Sequence, residues 1–176
     1  MRIIAFLRKL SRESISKHRS IHSKSDKMMK YIEAPNLYEG VEKSIFMAGG
    51  ISGCPDWHSD IVKLLSESDL TLLNPRRKNF PINDPSAASG QIKWEYDHLR
   101  KASAILFWFP CETLCPITLY ELGAWSMSEK PILLGVHPDY QRRQDVEIQT
   151  RLIRPDISIV YSVQALAEQV LAWNQP

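Results

Sequence analysis

The chain reads as a single α/β domain, an open five-stranded parallel sheet with helices on both faces. Three observations predict this. Its 176 residues, 44% hydrophobic and 24% charged, have the length and composition of one soluble globular domain. From about residue 43, short apolar runs alternate with stretches of helical period. One run, Ala104–Phe109, is apolar at every position, as in a central parallel strand covered on both faces.

The elements follow in order. Ser44–Ala48 (SIFMA) predicts a buried strand that enters a tight loop at Gly49-Gly50. Asp56 can cap a helix in which Trp57, Ile61, Leu64 and Leu65 share one face. Leu70–Leu73 predicts a second strand, stopped by Asn74-Pro75. A polar, Pro-rich loop is expected from Arg76 to Gly90, then a helix from about Gln91 to Lys101. Ala104–Phe109 is the third strand, and Pro116 suits the first turn of a helix running to about Ser128. Pro131–Val136 predicts a fourth strand, Arg142–Leu152 a helix, and Ile157–Val160 a short fifth strand. Ser162 then caps a last helix with Val163, Leu166, Ala167, Val170 and Leu171 on one face. Ligands of such sheets bind beyond the carboxyl ends of the strands, where strand order reverses. That directs attention to Gly49–Asp56, Asn74–Arg77, Pro110–Glu121 and His137–Arg143.

Charge divides the chain. Residues 1–30 hold nine Lys/Arg against Glu13 and Asp26, a balance of +7, while the remainder carries 13 basic and 18 acidic side chains, a balance of −5. Residues 1–40 therefore read as a basic N-terminal extension, partly disordered or helical, ahead of a domain over 41–176. A nucleic-acid arm and a transit-like peptide are the other readings of that extension. The acidic body argues against nucleic acid as a partner of the folded domain. No apolar run approaches the roughly 18 residues of a membrane span. Three cysteines (Cys54, Cys111 and Cys115) without a paired pattern exclude a disulfide scaffold and fit a reducing, cytoplasmic compartment. No histidine pairs with a carboxylate at zinc spacing, and Cys111 and Cys115 lack partner ligands, so no metal is expected. There is no P-loop, GxSxG elbow or Cys/His nucleophile signature.

Four segments carry candidate chemistry. The glycines of Gly49-Gly50-Ile51 let the backbone approach a ligand ahead of a helix N-terminus, although plain turn chemistry accounts for them equally well. Asn74, Arg76 and Arg77 lie at a strand end, where two guanidiniums can grip a phosphate or simply form a solvated basic turn. Gln91, Trp94 and Glu95 open a helix. Trp94 can stack on a base or fill core, and Glu95 suits a helix N-terminus in either case. Glu121 lies in a mostly apolar helix after the most hydrophobic strand. A carboxylate there is either partnered or functional, because burying a bare charge is costly, and Gly123 allows close backbone packing beside it.

Taken in order, SIFMAGGISG at 44–53 with Asp56-Trp57, LLNPRR at 72–77, QIKWE at 91–95, ASAILFWF at 102–109, PITLYELG at 116–123 and KPILLGV at 130–136 resemble the nucleoside 2-deoxyribosyltransferase superfamily. The likeness is strongest to its nucleoside 2-deoxyribosyltransferase-like branch and spans roughly residues 43–150. It implies a flavodoxin-like (Rossmann-like) sheet of order 2-1-3-4-5, cleavage of the bond between deoxyribose and base or transfer of the sugar, no metal or organic cofactor, and a homo-oligomer. It implies that Glu121 is the nucleophile that attacks the anomeric carbon, that Glu95 protonates or orients the leaving base, and that Gly49, Gly50 and Ile51 line the pocket. Asp56, Trp57, Asn74, Arg76, Arg77, Gln91, Trp94 and Cys115 are expected to join them in binding a nucleoside or nucleoside 5′-monophosphate. The chemistry is coherent: the N-glycosidic bond breaks through an oxocarbenium-like state that a carboxylate captures, while a second carboxyl with a raised pKa supplies a proton to the base. Two positions depart from the family's transferases. Phe46 stands where they have a tyrosine that orients the nucleophile, and Cys115 where they have an aspartate that contacts the sugar. Arg76 and Arg77 point toward a phosphorylated substrate and hydrolysis. An NAD-type glycohydrolase using Glu121 and a non-catalytic nucleotide-binding module are the alternatives.

Overall fold

The computed structural model describes residues 28–81 and 83–175. Among these residues, six strands form one parallel sheet: β1 (Lys30–Glu33), β2 (Ser44–Gly49), β3 (Thr71–Asn74), β4 (Ala104–Phe109), β5 (Ile132–Val136) and β6 (Ile159–Val160), in the order β1-β3-β2-β4-β5-β6. Among the described residues, five helices connect or follow them: α1 (Trp57–Leu64), α2 (Pro85–Lys101), α3 (Pro116–Ser126), α4 (Arg143–Ile153) and α5 (Val163–Asn174). The five strands expected from the sequence are β2 to β6, and their order is the expected one.

The sixth strand is a correction to that expectation. β1 pairs with β3, Lys30 opposite Thr71 through Glu33 opposite Asn74, and forms the edge of the sheet. It escapes a sequence reading because it is four residues long, carries Lys and Glu at its ends, and leaves Tyr31 partly exposed. The segment after it is fastened to α2. His98 Nε2 accepts the Tyr38 N–H at 3.1 Å, Trp94 Nε1–H donates to the Asn36 carbonyl at 2.8 Å, and Lys101 Nζ donates to the Tyr38 carbonyl at 3.2 Å. Ala34 and Tyr38 are buried. The sheet and its core thus include residues before position 41. Residues 1–27, which hold most of the basic extension, lie outside the described residues.

The sheet divides the core in two. On one face Phe46, Ala48, Phe107, Phe109 and Leu134 pack with Trp94 and Leu99 of α2, Leu122 of α3 and Val146 of α4. On the other, Ile45, Met47, Leu106 and Trp108 pack with Trp57 and Ile61 of α1 and Leu166, Ala167 and Val170 of α5. The alternation of β2 and β4 residues between the two clusters is the period-two pleat of a strand covered on both sides.

Local chemistry sets the helix ends. Asp56 accepts the Ser59 N–H at 3.3 Å and Ser162 accepts the Ala165 N–H at 3.1 Å, so both expected caps form. The expected loop over Arg76–Gly90 is only half loop. Asp84 accepts the Ser86 N–H at 2.8 Å and Pro85 occupies the first turn, so α2 begins six residues before Gln91. Its first two turns, PSAASG, contain no apolar stripe to reveal them. Two residues expected on apolar faces, Leu64 and Leu171, are exposed, because α1 ends at Leu64 and Leu171 turns off the packed side of α5. Among the described residues, no helix is long and apolar enough to cross a membrane.

Candidate active site

Strand order turns from β2 toward β3 on one side and from β2 toward β4 on the other, and the carboxyl ends of β2 and β4 lie side by side with Gly49 opposite Trp108. A cavity of about 390 Å³ opens there. Phe46, Ala48 and the loop Gly49–Ser52 supply one wall, Pro75 and Glu95 another, and Thr113 with Cys115–Thr118 and Glu121 the third. This is the switch point of an open α/β sheet.

Glycine shapes the first wall. A Cβ on Gly49 would run into the Trp57 ring and lie 2.5 Å from the Trp108 carbonyl; one on Gly50 would lie 2.7 Å from Pro110 Cγ and 3.0 Å from Cys115 Sγ. Trp57 Nε1–H donates to the Gly50 carbonyl at 2.8 Å and braces the loop from behind. The third wall begins with Cys115, which caps α3 in the left-handed conformation (φ 48°) and is buried. Burial, then Cys54 and Glu112 nearby, push its thiol up to about 12, so it faces the cavity as a neutral group.

Glu95 and Glu121 are the titrating carboxyls of the lining. Burial, reinforced by the nearby charge of Glu95, pushes Glu121 up to about 7. Burial also raises Glu95, opposed by a hydrogen bond from Gln91, whose Nε2 donates to Glu95 Oε1 at 2.9 Å and to the Pro75 carbonyl at 2.8 Å. Burial on one cavity thus favours the protonated form of both carboxyls, the kind of perturbation that acid–base chemistry uses.

The structure thus brings Gly49, Gly50, Ile51, Glu95, Cys115 and Glu121 to one cavity. It does not bring the other expected residues to that lining. Trp94 is buried in core, stacked on His98 with centroids 3.9 Å apart. Trp57 is buried as well, and Asp56 is spent on its helix cap. Asn74 donates to the Tyr31 hydroxyl at 2.7 Å and accepts the Arg76 N–H at 2.9 Å. Arg76 donates to the Pro55 carbonyl at 3.1 Å and pairs with Asp56 at 3.4 Å, while Arg77 lies over the Phe80 ring. Gln91 stands behind Glu95. Gly123 is not closely packed: a Cβ there would meet nothing within 4 Å, and the residue borders an open groove of about 210 Å³ between α3 and α4. Ser52, Thr113 and Thr118 line the cavity without having been singled out. Their only signal in the sequence is position, within four residues of a predicted strand end or helix start. Among the described residues, no three His, Cys, Asp or Glu side chains converge in a way that could hold a metal ion.

No curated protein matches the chain. A family model described as nucleoside 2-deoxyribosyltransferase like matches residues 42–140, from just before β2 to just before α4, and so takes in every segment of the cavity wall. With more than half of the chain matched and the sheet order that the likeness implies, the chain belongs to the nucleoside 2-deoxyribosyltransferase-like family.

Proposed function

We propose that this protein breaks the N-glycosidic bond of a nucleoside through Glu121. The observation that carries the reading is the pair of carboxyls, Glu95 and Glu121, on one cavity at the switch point of the sheet. In this scheme the Glu121 carboxylate attacks the anomeric carbon as the carbon–nitrogen bond breaks. The bonding electron pair leaves with the base, and Glu95 delivers the proton that the base takes up. The resulting glycosyl ester is released by water or by a second base, with Glu95 accepting a proton from the incoming group. The ionised form of Glu121 is the one that attacks, and positive charge growing on the sugar favours that form just when it is needed.

The lining favours the nucleoside over its 5′-phosphate. It holds two carboxyls and, among the described residues, no cation; Arg76 is occupied by Asp56 and the Pro55 carbonyl. The hydroxyl-bearing residues Ser52, Thr113 and Thr118 and the neutral Cys115 suit an uncharged sugar. The oligomer implied by the resemblance would have a surface to bury in the exposed side chains of Ile117, Tyr120 and Met127 on and just after α3.

The test is chromatographic. Wild type and Glu121→Ala are incubated with deoxynucleosides, their monophosphates and NAD, with and without an added free base. Free base released from deoxynucleosides by the wild type alone is the expected result, and a new nucleoside would identify transfer. NAD consumption without deoxynucleoside cleavage, or no turnover with ligand still detected by thermal shift, would overturn it.

A further inference from the structure

Gln91 faces the site from behind. Its amide reaches the cavity lining at the Glu95 carboxylate and the Pro75 backbone, with Nε2 donating to both. The Pro75 carbonyl can only accept a hydrogen bond, so it fixes which end of the amide faces it. With the orientation settled by Pro75, the second N–H of the same nitrogen is aimed at Glu95. The arrangement leaves Gln91 Oε1 buried with no hydrogen-bond partner. A buried orphan acceptor is costly, and a leucine or methionine at 91 would fill the same space without it. A Gln–Glu contact four residues apart on a helix stabilises the helix only slightly, which does not account for the orphan or for the bond to a different element.

We infer that Gln91 is a positioning residue: clamped by the Pro75 carbonyl, it presents a fixed N–H donor that holds the Glu95 carboxylate against the cavity wall and favours its ionised, accepting form. This rests on the glycosidase reading for its purpose, not for its geometry. Among the described residues, a side-chain donor on Glu95 and none on Glu121 sets the two carboxyls apart. The charged group that faces Glu95 from a neighbouring element is Glu121 on α3; on its own helix it meets Gln91, and from the loop after β3 it meets the Pro75 backbone. The donor from Gln91 works against the burial of Glu95 and readies it to accept the proton of the incoming group in the second half of the reaction.

The inference is tested on the whole protein by 13C carboxyl NMR titration of wild type and Gln91→Leu, with the Glu95 signal assigned from its loss in Glu95→Gln. The expected result is that the Glu95 midpoint in Gln91→Leu rises by about half a pH unit or more, as loss of a charge-assisted donor requires. The Glu121 midpoint should fall, because its neighbour stays neutral to higher pH. A smaller change at Glu95 overturns the inference, whatever happens to stability. Should Gln91→Leu fail to fold, Gln91→Ala is read in the same way. Nucleoside turnover is measured on the same samples and separates the two ideas. A shifted midpoint in a protein whose wild type cleaves no nucleoside overturns the glycosidase and supports the Gln91 role; cleavage with an unshifted midpoint does the reverse.

Discussion

At the scale of single residues, the cavity sets stability against chemistry at Glu121. An ordinary glutamate in the unfolded chain titrates near 4.5, and in the fold Glu121 titrates at about 7. The folded state therefore holds on to a proton that the unfolded state has lost between those values. Stability falls as pH rises through that window, and the deficit, up to about 3 kcal/mol, persists above it. Glu121→Gln removes the deficit. Its melting temperature should exceed that of the wild type at pH 8 and match it closely at pH 4, as thermal unfolding at the two pH values would measure. An equal difference at both would mean that the carboxyl is not held in its protonated form. The sequence announced this residue clearly, since a lone carboxylate among Leu119, Tyr120, Leu122 and Trp125 needs a reason. It did not announce the fate of Trp94 or Arg76. An indole is equally at home on a base or in a core, and only the fold shows that His98 stacks on one and Asp56 holds the other.

At the scale of elements, the chain was most legible where periodicity was strong. β4 is apolar throughout and needs no context, and the caps at Asp56 and Ser162 are local chemistry. β1 and the first turns of α2 were illegible because tertiary contacts make them: Lys30–Glu33 becomes a strand by pairing with β3, and Pro85–Gly90 becomes helix through the Asp84 cap and the helix it continues into. α2 is also closed from its far end. The Lys130 ammonium, arriving just before β5, donates to the carbonyls of Leu99, Arg100 and Ala102 at 2.7, 2.8 and 2.7 Å and lies over the Trp125 ring. A cation here meets three carbonyls at the negative end of the helix dipole. Lys130→Met keeps the aliphatic stem and loses the donors. It should destabilise the fold by about 2 kcal/mol, read as a lowered urea midpoint with an unchanged slope. A loss under about 0.5 kcal/mol would mean that water replaces the ammonium freely.

At the scale of the whole molecule, His58 sets the fold against acid. The ring is fully buried beside Trp57, with centroids 3.7 Å apart and no well-formed hydrogen bond to either nitrogen. Burial, and then the Arg76 guanidinium, drive its pKa from 6.5 to about 3, against the pull of Asp56 and of a weak contact with the Met47 backbone. The unfolded chain therefore binds a proton that the fold refuses between those values, so stability is lost as pH falls from 6.5 toward 3, by up to about 4 kcal/mol. His58→Phe should remove that loss. Urea unfolding at pH 7 and pH 4 would show the variant gaining on the wild type by about 3 kcal/mol at the lower pH; a constant difference would show that His58 does not drive acid unfolding.

The parallel sheet also gives the molecule a direction. Every strand runs toward the cavity, so Lys30, where the sheet starts, sits at the opposite end. The last turn of α5 comes back to that same end: Asn174 donates to Asp69 and the Trp173 carbonyl accepts from Lys43, both just ahead of strands. Both extremities of the folded body are thus a strand's length away from the chemistry. A tether, affinity handle or fused domain joined after α5 would start from the end of the sheet away from the cavity, and a surface carrying the protein by that end would leave the cavity mouth facing solution.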